Sequence, residues 1–126
     1  KNSALPTCLL MGGESTVTVR GNGLGGRNQE LALAAAKEIQ HYPQITIATL
    51  ATDGTDGPTD AAGGIVHAGT WQACLQKGFD PQAILANNDA YHGLQYAHAL
   101  LKTGPTHTNV NDITIALIDT NRSVSS

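Results

Sequence analysis

A glycine-rich loop that ends in an arginine is the first part of the sequence suited to chemistry. It runs Gly21-Asn22-Gly23-Leu24-Gly25-Gly26 and leads into Arg27. Backbone N–H groups at the start of a helix attract anions, and a guanidinium grips a carboxylate or phosphate through two parallel hydrogen bonds. Arg27 is therefore a candidate anion-binding residue. The alternative is an arginine that pairs with a neighbouring carboxylate and only stabilises the fold.

The same loop formally matches the dinucleotide pattern G-x-G-x-x-G at Gly21, Gly23 and Gly26. That pattern also requires an acidic residue about 20 positions further on, at the end of a strand. The segment Ile45-Thr46-Ile47 stands there and contains no acid. The spacing therefore argues against a nicotinamide cofactor on this segment.

A second loop, which follows an apolar run ending at Thr52, is rich in aspartate, threonine and glycine. Closely spaced carboxylates suit a hard cation such as Mg²⁺, or a general base. The EF-hand pattern is excluded, because Gly64 stands at the position that would require glutamate. A solvated turn is the alternative, but such a concentration directly after a buried strand favours a site. Its aspartates are Asp53, Asp56 and Asp60.

The loop from Lys102 to Asp112 is dense in hydrogen-bond donors and has the composition of an anion cradle, although it lacks the Walker A order. Helix-end and turn chemistry explains it equally well. The histidines form no metal-binding pattern such as H-E-x-x-H. We expect Cys8 and Cys74 to be buried free thiols, as in a reducing cytoplasm.

Composition limits the kinds of partner. The 126 residues suit one domain, and only 13% are charged against a typical value of about 25%. The surface is then either rich in Thr, Asn, Gln and Gly or partly covered, and we interpret the low charge as a sign of a partner. A net charge of −3 without a basic run argues against nucleic acid, and no apolar stretch approaches the ~20 residues of a membrane span. The opening Lys1-Asn2-Ser3 looks like the start of a fragment from a longer chain.

Strand-like and helix-like patterns alternate along the chain, which predicts an α/β fold in which ligands bind at the strand ends. We expect a layered α/β/α sandwich with a mixed, mostly parallel sheet and an N-terminal hairpin. The predicted strands are 6–11, 16–20, 45–52, 65–66 and 113–118, and the predicted helices are 27–40, 70–76, a short one from Pro81, and 89–101.

The three loops taken together resemble the C-terminal domain of the glycerate 2-kinase family, often called MOFRL. The resemblance extends over nearly the whole chain in the right order. Two positions depart from the family: His107 stands where glycine is usual, and His67 where aspartate is common. The motifs that carry it are Gly25-Gly26-Arg27-Asn28-Gln29-Glu30, the segment from Ala51-Thr52-Asp53-Gly54-Thr55-Asp56 to Gly63, Thr103-Gly104-Pro105-Thr106, and Thr108-Asn109-Val110-Asn111-Asp112.

The family implies a cytoplasmic two-domain enzyme that transfers a phosphoryl group from ATP, with Mg²⁺, to D-glycerate, giving 2-phosphoglycerate. The active site would lie in the cleft between the domains. Residues 1–126 would be a single C-terminal domain, and the absent N-terminal domain would supply a catalytic lysine. We therefore expect this segment to be folded but inactive alone.

The resemblance also implies roles for individual residues. Arg27 would hold the glycerate carboxylate or the transferring phosphoryl group. Asp53 would accept the hydroxyl proton or, with Asp56, help to hold Mg²⁺. The residues expected to bind substrate or nucleotide are Asn28, Thr55, Asp56, Thr103, Gly104, Thr106 and Asn109.

Two other functions remain open at this stage. The first is a hydroxypyruvate reductase that uses NAD(P)H, a label that family members often carry; Mg²⁺ dependence would separate it from the kinase. The second is a domain that binds without catalysis, in which case Arg27, Asp53 and Asp56 would have no reason to occur together.

Overall fold

The computed structural model describes residues 5–13 and 16–120. A five-stranded sheet has the strand order β1-β5-β2-β3-β4, and every pair of neighbours is antiparallel. The strands are β1 (Thr7–Gly13), β2 (Ile45–Ala51), β3 (Gly63–Val66), β4 (Leu100–Leu101) and β5 (Asp112–Ile118), and the helices are α1 (Arg27–Glu38), α2 (Thr70–Gln76), α3 (Pro81–Ala86) and α4 (Ala90–Tyr96).

The α/β class is confirmed, whereas the mostly parallel sheet is wrong. A parallel pair needs a long crossover between its strands. Here β2 is followed by a loop that returns directly into β3, so that Leu50 lies opposite Gly63 and Ile47 opposite Val66. The last strand, β5, then runs antiparallel to β1 and to β2.

The predicted N-terminal hairpin is also wrong. Residues 16–20 form no strand, and β1 pairs with β5 instead. The segment is held by a side chain: Asn88 Oδ1 accepts hydrogen bonds from the backbone N–H groups of Arg20 (2.6 Å) and Gly21 (3.0 Å), and Asn88 Nδ2 donates to the Thr18 carbonyl (3.1 Å). Part of the predicted turn, residues 14–15, lies outside the described residues.

The helix predicted over 89–101 ends at Tyr96. His98 follows with a left-handed φ of 55°, which reverses the chain, and Leu100–Leu101 then pair with the edge of β3. Apolar residues at helical spacing cannot be distinguished from a short buried strand by periodicity alone.

The core lies between α1 and the strands β2 and β3. Small residues allow this close approach: a Cβ on Gly64 would lie 2.9 Å from Ala32 Cβ and 2.8 Å from Leu94 Cδ1. The fully buried apolar side chains of the cluster are Ala32, Leu33, Ala36, Val66, Ala90 and Leu94.

The helices form one layer rather than the two of the predicted sandwich. The helices α2, α3 and α4 pack against α1 and against one another. Within residues 5–13 and 16–120, no helix covers the opposite face of the sheet, where Leu10 and Leu117 are exposed. None of the described helices is long and apolar enough to cross a membrane.

Candidate functional site

The three polar loops meet at one end of the sheet. The second and third loops are joined by hydrogen bonds: Thr52 donates to the Asn111 carbonyl from its backbone N–H (3.1 Å) and its hydroxyl (2.7 Å), and Thr106 N–H donates to the Asp53 carbonyl (3.2 Å). The first loop reaches the same end because α1, which begins at Arg27, packs across β2 and β3. Residues far apart in sequence are thereby brought together.

Arg27 lies at this end and forms an ion pair with Asp112. Its Nε donates to Oδ2 at 2.5 Å and its Nη2 to Oδ1 at 3.0 Å. The Asp112 side chain is only 6% exposed, whereas that of Arg27 is 33% exposed. Asp112 also lies opposite Ala51 in the sheet, two residues before Asp53, so the register fixes Arg27 and Asp53 at the same strand end.

Asp112 is a residue that the sequence analysis did not single out as functional. Its carboxylate is the neighbouring acid that the alternative interpretation of Arg27 requires, in which the arginine pairs with a carboxylate and only stabilises the fold. The one available signal was its position as the first residue of β5, directly after a polar loop. Nothing in the sequence shows that β5 lies beside β2, because that pairing depends on the antiparallel topology.

Asp56 caps α1 from a distant part of the chain. Its carboxylate accepts hydrogen bonds from the backbone N–H groups of Asn28 (3.0 Å) and Gln29 (2.8 Å) and from both of their side-chain amides, at 3.1 and 2.9 Å. A carboxylate there satisfies the unpaired donors of the first turn and the positive end of the helix dipole. The anion expected at this helix start is thus supplied by the protein itself.

Burial disfavours the ligand roles predicted for Asp56 and Asn28. Both residues are 1% exposed, and both oxygens of Asp56 already face N–H donors. In the described part of the chain, no group of three or more His, Cys, Asp or Glu side chains is arranged to hold a metal ion. Asp53 is left as the candidate carboxylate for a cation.

The glycines of the G-x-G-x-x-G match serve packing inside the protein. A Cβ on Gly21 or Gly23 would collide with the backbone at Asn87, and a Cβ on Gly26 would lie 2.5 Å from the Asp56 carboxylate. The loop is also fixed by hydrogen bonds, since Gly23 N–H donates to the Asn87 carbonyl (2.9 Å). Close internal contact explains this spacing without a dinucleotide.

Asp53 begins a tight turn that rests on the third loop. Its Oδ1 accepts a hydrogen bond from Thr55 N–H at 3.0 Å. Gly54 has a left-handed φ of 91°, and a Cβ there would collide with the carbonyl of Gly104. Within the described residues, the other carboxylate oxygen of Asp53 has no hydrogen-bond partner, so it can accept a proton or meet a cation.

The other predicted binding residues lie in the exposed third loop. The Thr106 hydroxyl donates to the Thr52 carbonyl (2.5 Å), the Thr103 hydroxyl to the Gly104 carbonyl (2.9 Å), and Asn109 Oδ1 accepts from Asn111 N–H (3.0 Å). These bonds shape the loop, and the exposure of all four predicted residues leaves them accessible from solvent.

The two histidines that depart from the family pattern lie in different places. His107 is in the third loop and has a left-handed φ of 61°, a conformation in which glycine carries less strain. His67 follows β3 at the strand end opposite to the one that enters from the second loop, and its Nδ1 accepts from Gly69 N–H at 3.0 Å. The histidine at position 67 therefore does not affect the end of the sheet at which the three loops meet.

An exposed ion pair joins the second and third loops. The Asp60 carboxylate accepts a hydrogen bond from the Tyr91 hydroxyl at 2.8 Å and lies 3.3 Å from Lys102 Nζ. The Tyr91 hydrogen bond and the ammonium group lower the pKa of Asp60, and the same carboxylate raises the pKa of Lys102.

Two open cavities flank the ion pair of Arg27. Arg27 lines one of about 380 Å³ and Asp112 lines the other, of about 430 Å³. The first is bounded by Thr16, Val17, Val19, Gly25, Gly26, Gly57 and Pro58, and the second by Met11, Gly12, Gly13, Asn28, Leu31 and Thr114. Both are large enough for a small organic acid.

Comparison with known proteins finds similarity to part of several proteins named as glycerate kinases. The chain is 54% identical over 113 residues to a D-glycerate 2-kinase of Thermotoga maritima, and 48% identical over 118 residues to a glycerate 2-kinase of Pyrococcus horikoshii. A crystal structure of the Thermotoga maritima glycerate kinase superimposes with a TM-score of 0.86 over 88% of this chain. The matches cover 90% and 93% of this chain but only 27% of each relative.

The MOFRL family matches residues 7–112. That range contains Arg27, Asp53, Asp56 and Asp112, and with them every loop at the end of the sheet. The chain therefore belongs to the MOFRL family.

Proposed function

We propose that this chain is the domain of an ATP-dependent glycerate 2-kinase that presents Arg27 and Asp53 to the substrate. The observation that carries the proposal is the fixed guanidinium of Arg27, held on Asp112 at the strand end that also leads to Asp53. Relatives named as glycerate 2-kinases, 54% and 48% identical to the chain, support the choice of substrate.

Phosphoryl transfer requires positioning and charge stabilisation more than covalent chemistry by the protein. Arg27 would hold the glycerate carboxylate or the transferring phosphoryl group, both of which a guanidinium can bind at two points. Its pairing with Asp112 sets the direction of the guanidinium before the substrate arrives. The cost of ordering a long, flexible side chain is then met during folding rather than during binding.

Asp53 would accept the proton of the attacking hydroxyl or help to hold Mg²⁺. Asp53 is half-buried, and its second carboxylate oxygen, which has no partner within the described residues, suits either task. Mg²⁺ in kinase sites is commonly held by one or two carboxylates together with substrate phosphates, so one aspartate from this chain is chemically sufficient. The ion would neutralise charge on the phosphates, while Thr55 N–H fixes the orientation of Asp53.

The third loop is exposed from Lys102 to Val110. We propose that a second domain of the same polypeptide closes the site as a cleft and contributes the remaining groups. This segment alone would then fold but would have no kinase activity. Thr103, Gly104, Thr106 and Asn109 would contact substrate or nucleotide in that cleft.

The direct test is glycerate-dependent release of ADP by the full polypeptide with Mg-ATP, with ³¹P NMR to identify the product. We expect 2-phosphoglycerate and a dependence on both D-glycerate and Mg²⁺. No ADP release, together with NADH consumption in the presence of hydroxypyruvate, would establish the reductase instead. The internal packing of the three glycines counts only against a dinucleotide site on this segment.

A further inference from the structure

The face of the sheet that points away from α1 is apolar across four strands. Side chains alternate along each strand, and the register places facing partners on the same side. Thr49 and Val66 point toward α1, because Thr49 bonds to the Asn28 carbonyl and Val66 lies in the core. The opposite face, here termed the open face, therefore carries Cys8, Leu10, Ala48, Leu50, Ile65, Ile113, Ile115 and Leu117.

This composition is unusual for a solvated surface. An antiparallel sheet that packs on one side normally alternates to polar residues on the other. The remaining positions of the open face are Thr46, Gly12, Gly63 and Leu101, so it carries no charged side chain within the described strands. With three strands of about 20 Å and the shorter β3 beside them, the patch covers ~400 Å², which lies within the range of about 300–600 Å² for the largest apolar patch on a soluble monomer, a patch that is often functional.

Solvent reaches the open face directly. Leu10 is 68% exposed, Leu117 49% and Ile65 42%, and they lie on three different strands. The four helices that the structure describes pack together on the other side. No element among the described residues shields the face, and a surface of this kind lowers its free energy by about 25 cal/mol for each Å² of apolar area removed from water.

We infer that the open face is the docking surface for the remainder of a longer polypeptide, which covers it through an apolar surface of its own. The inference deepens the proposed two-domain kinase and rests on it. The chain matches only 27% of the length of the Thermotoga maritima and Pyrococcus horikoshii relatives, so about three quarters of such a protein is available to cover the face. The loop end of the sheet borders the open face, so docking there leaves the loops at the margin of the contact.

Cys8 provides a direct probe, because its thiol is exposed on the open face. The native full polypeptide is treated with iodoacetamide, and peptide mapping then measures how much of Cys8 is alkylated. Cys74 serves as the folding control, since it is buried and burial raises the pKa of its thiol. A sample in which Cys74 is labelled has unfolded and is rejected.

Two matched variants identify the face. In a Cys8→Ser background, Leu10→Cys places a thiol on the open face, and Leu9→Cys places one on the opposite face of the same strand, where Leu9 is 47% exposed. We expect native Cys8 and the thiol at position 10 to react at least about tenfold more slowly than the thiol at position 9. Equal reactivity, fast or slow, would overturn the inference.

A second copy of the chain is the competing occupant, and dilution distinguishes it. Protection that persists at concentrations where the protein is monomeric supports docking within one polypeptide, whereas protection lost on dilution contradicts it. Glycerate-dependent ADP release is measured on the same samples. Protected Cys8 without that activity would refute only the proposed function, and full activity with reactive Cys8 would refute only the docking surface.

Discussion

Asp112 fixes the guanidinium of Arg27 at two points, 2.5 Å from Nε and 3.0 Å from Nη2. The two residues are 85 positions apart, so α1 and β5 must both be in place before the arginine is oriented. From the sequence, pairing and ligand binding are alternatives for Arg27. The geometry makes them compatible, because the carboxylate aims the guanidinium while a third of its side chain stays exposed.

Replacing Asp112 with asparagine tests this coupling. The substitution keeps the size of the side chain but removes the negative charge and places an amide group beside the guanidinium. Hydrogen bonds to charged groups contribute about 1.5–3 kcal/mol, so we expect kcat/KM for glycerate to fall about 10- to 100-fold. Steady-state kinetics of the full polypeptide measure the change.

Asp60→Asn is the matched control, since Asp60 also pairs with a cation but on an exposed surface, 3.3 Å from Lys102. Its kcat/KM should remain within about twofold of the wild-type value. If Asp112→Asn behaves like this control, Arg27 does not need its partner to bind substrate.

Asp56 should matter to stability more than any exposed helix cap. Asparagine at this position replaces one acceptor oxygen with a donor that faces the N–H groups of Asn28 and Gln29. Leaving buried donors without an acceptor costs about 1–3 kcal/mol, and we expect Asp56→Asn to lower the free energy of unfolding by ~2–4 kcal/mol. Urea unfolding followed by circular dichroism gives this value.

Asp80 offers the comparison, because it caps α3 through Gln82 N–H at an exposed position. Asparagine caps helices about as well as aspartate, so Asp80→Asn should change the free energy of unfolding by less than about 0.5 kcal/mol. A similar small effect of Asp56→Asn would show that the carboxylate charge is not needed at the start of α1.

Gly26→Ala examines the contact between the glycine loop and Asp56. The backbone at Gly26 is extended, with φ of −157°, so alanine introduces no backbone strain there. Its Cβ would nevertheless lie 2.5 Å from the Asp56 carboxylate, which must move. We expect a loss of about 1–3 kcal/mol in the free energy of unfolding.

The corresponding change at Gly12 should be harmless, because a Cβ there meets nothing within 4 Å. Alanine in a strand also costs less conformational entropy on folding than glycine, so Gly12→Ala should raise stability by up to about 1 kcal/mol. Equal tolerance at both positions would contradict the packing role of Gly26.

The pKa of Asp60 should respond to a single hydroxyl. The hydrogen bond from Tyr91 is the largest cause that lowers this pKa below the ordinary value of 3.8, and Lys102 adds to it. Tyr91→Phe should therefore raise the pKa of Asp60 in a carboxyl NMR titration, whereas Tyr42→Phe should leave it unchanged. An unaltered pKa in the Tyr91 variant would refute the assignment.

The sign of the pH effect follows from the same shift. A carboxyl group whose pKa is lower in the folded state favours folding above its unfolded pKa and loses this contribution as pH falls through the folded-state value. The stability difference between wild type and Tyr91→Phe should thus vanish below the folded-state pKa of Asp60, in the acidic range under pH 3.8.

Local chemistry in the sequence identified the helices and the polar loops, but not how they pair. Pro81 and Asp80 gave the start of α3 correctly, since capping depends on adjacent residues. The parallel sheet was wrong because strand direction depends on connections that alternation alone does not determine. The edge strand Leu100–Leu101 continues the helical spacing of the apolar residues in α4, and periodicity alone does not distinguish a short buried strand from a helix.

The site shows a similar division. Arg27 and Asp53 stand out by residue type, and the structure brings their chain segments to one end of the sheet. Asp56 looked like a ligand in sequence but is buried against α1, and Cys8, expected to be buried, is exposed. Both placements depend on long-range packing: α1 covers one face of the sheet and leaves the other open.

The most direct measurement is turnover of the full polypeptide carrying Asp53→Asn, with Mg-ATP and D-glycerate. Asparagine keeps the hydrogen bond from Thr55 N–H but can neither accept the hydroxyl proton nor offer a charged ligand to Mg²⁺. We expect kcat to fall by at least about 100-fold while the free energy of unfolding changes little, because general-base catalysis contributes about 10²–10⁴. Turnover within a few-fold of wild type would contradict the assignment of the chemistry to this domain.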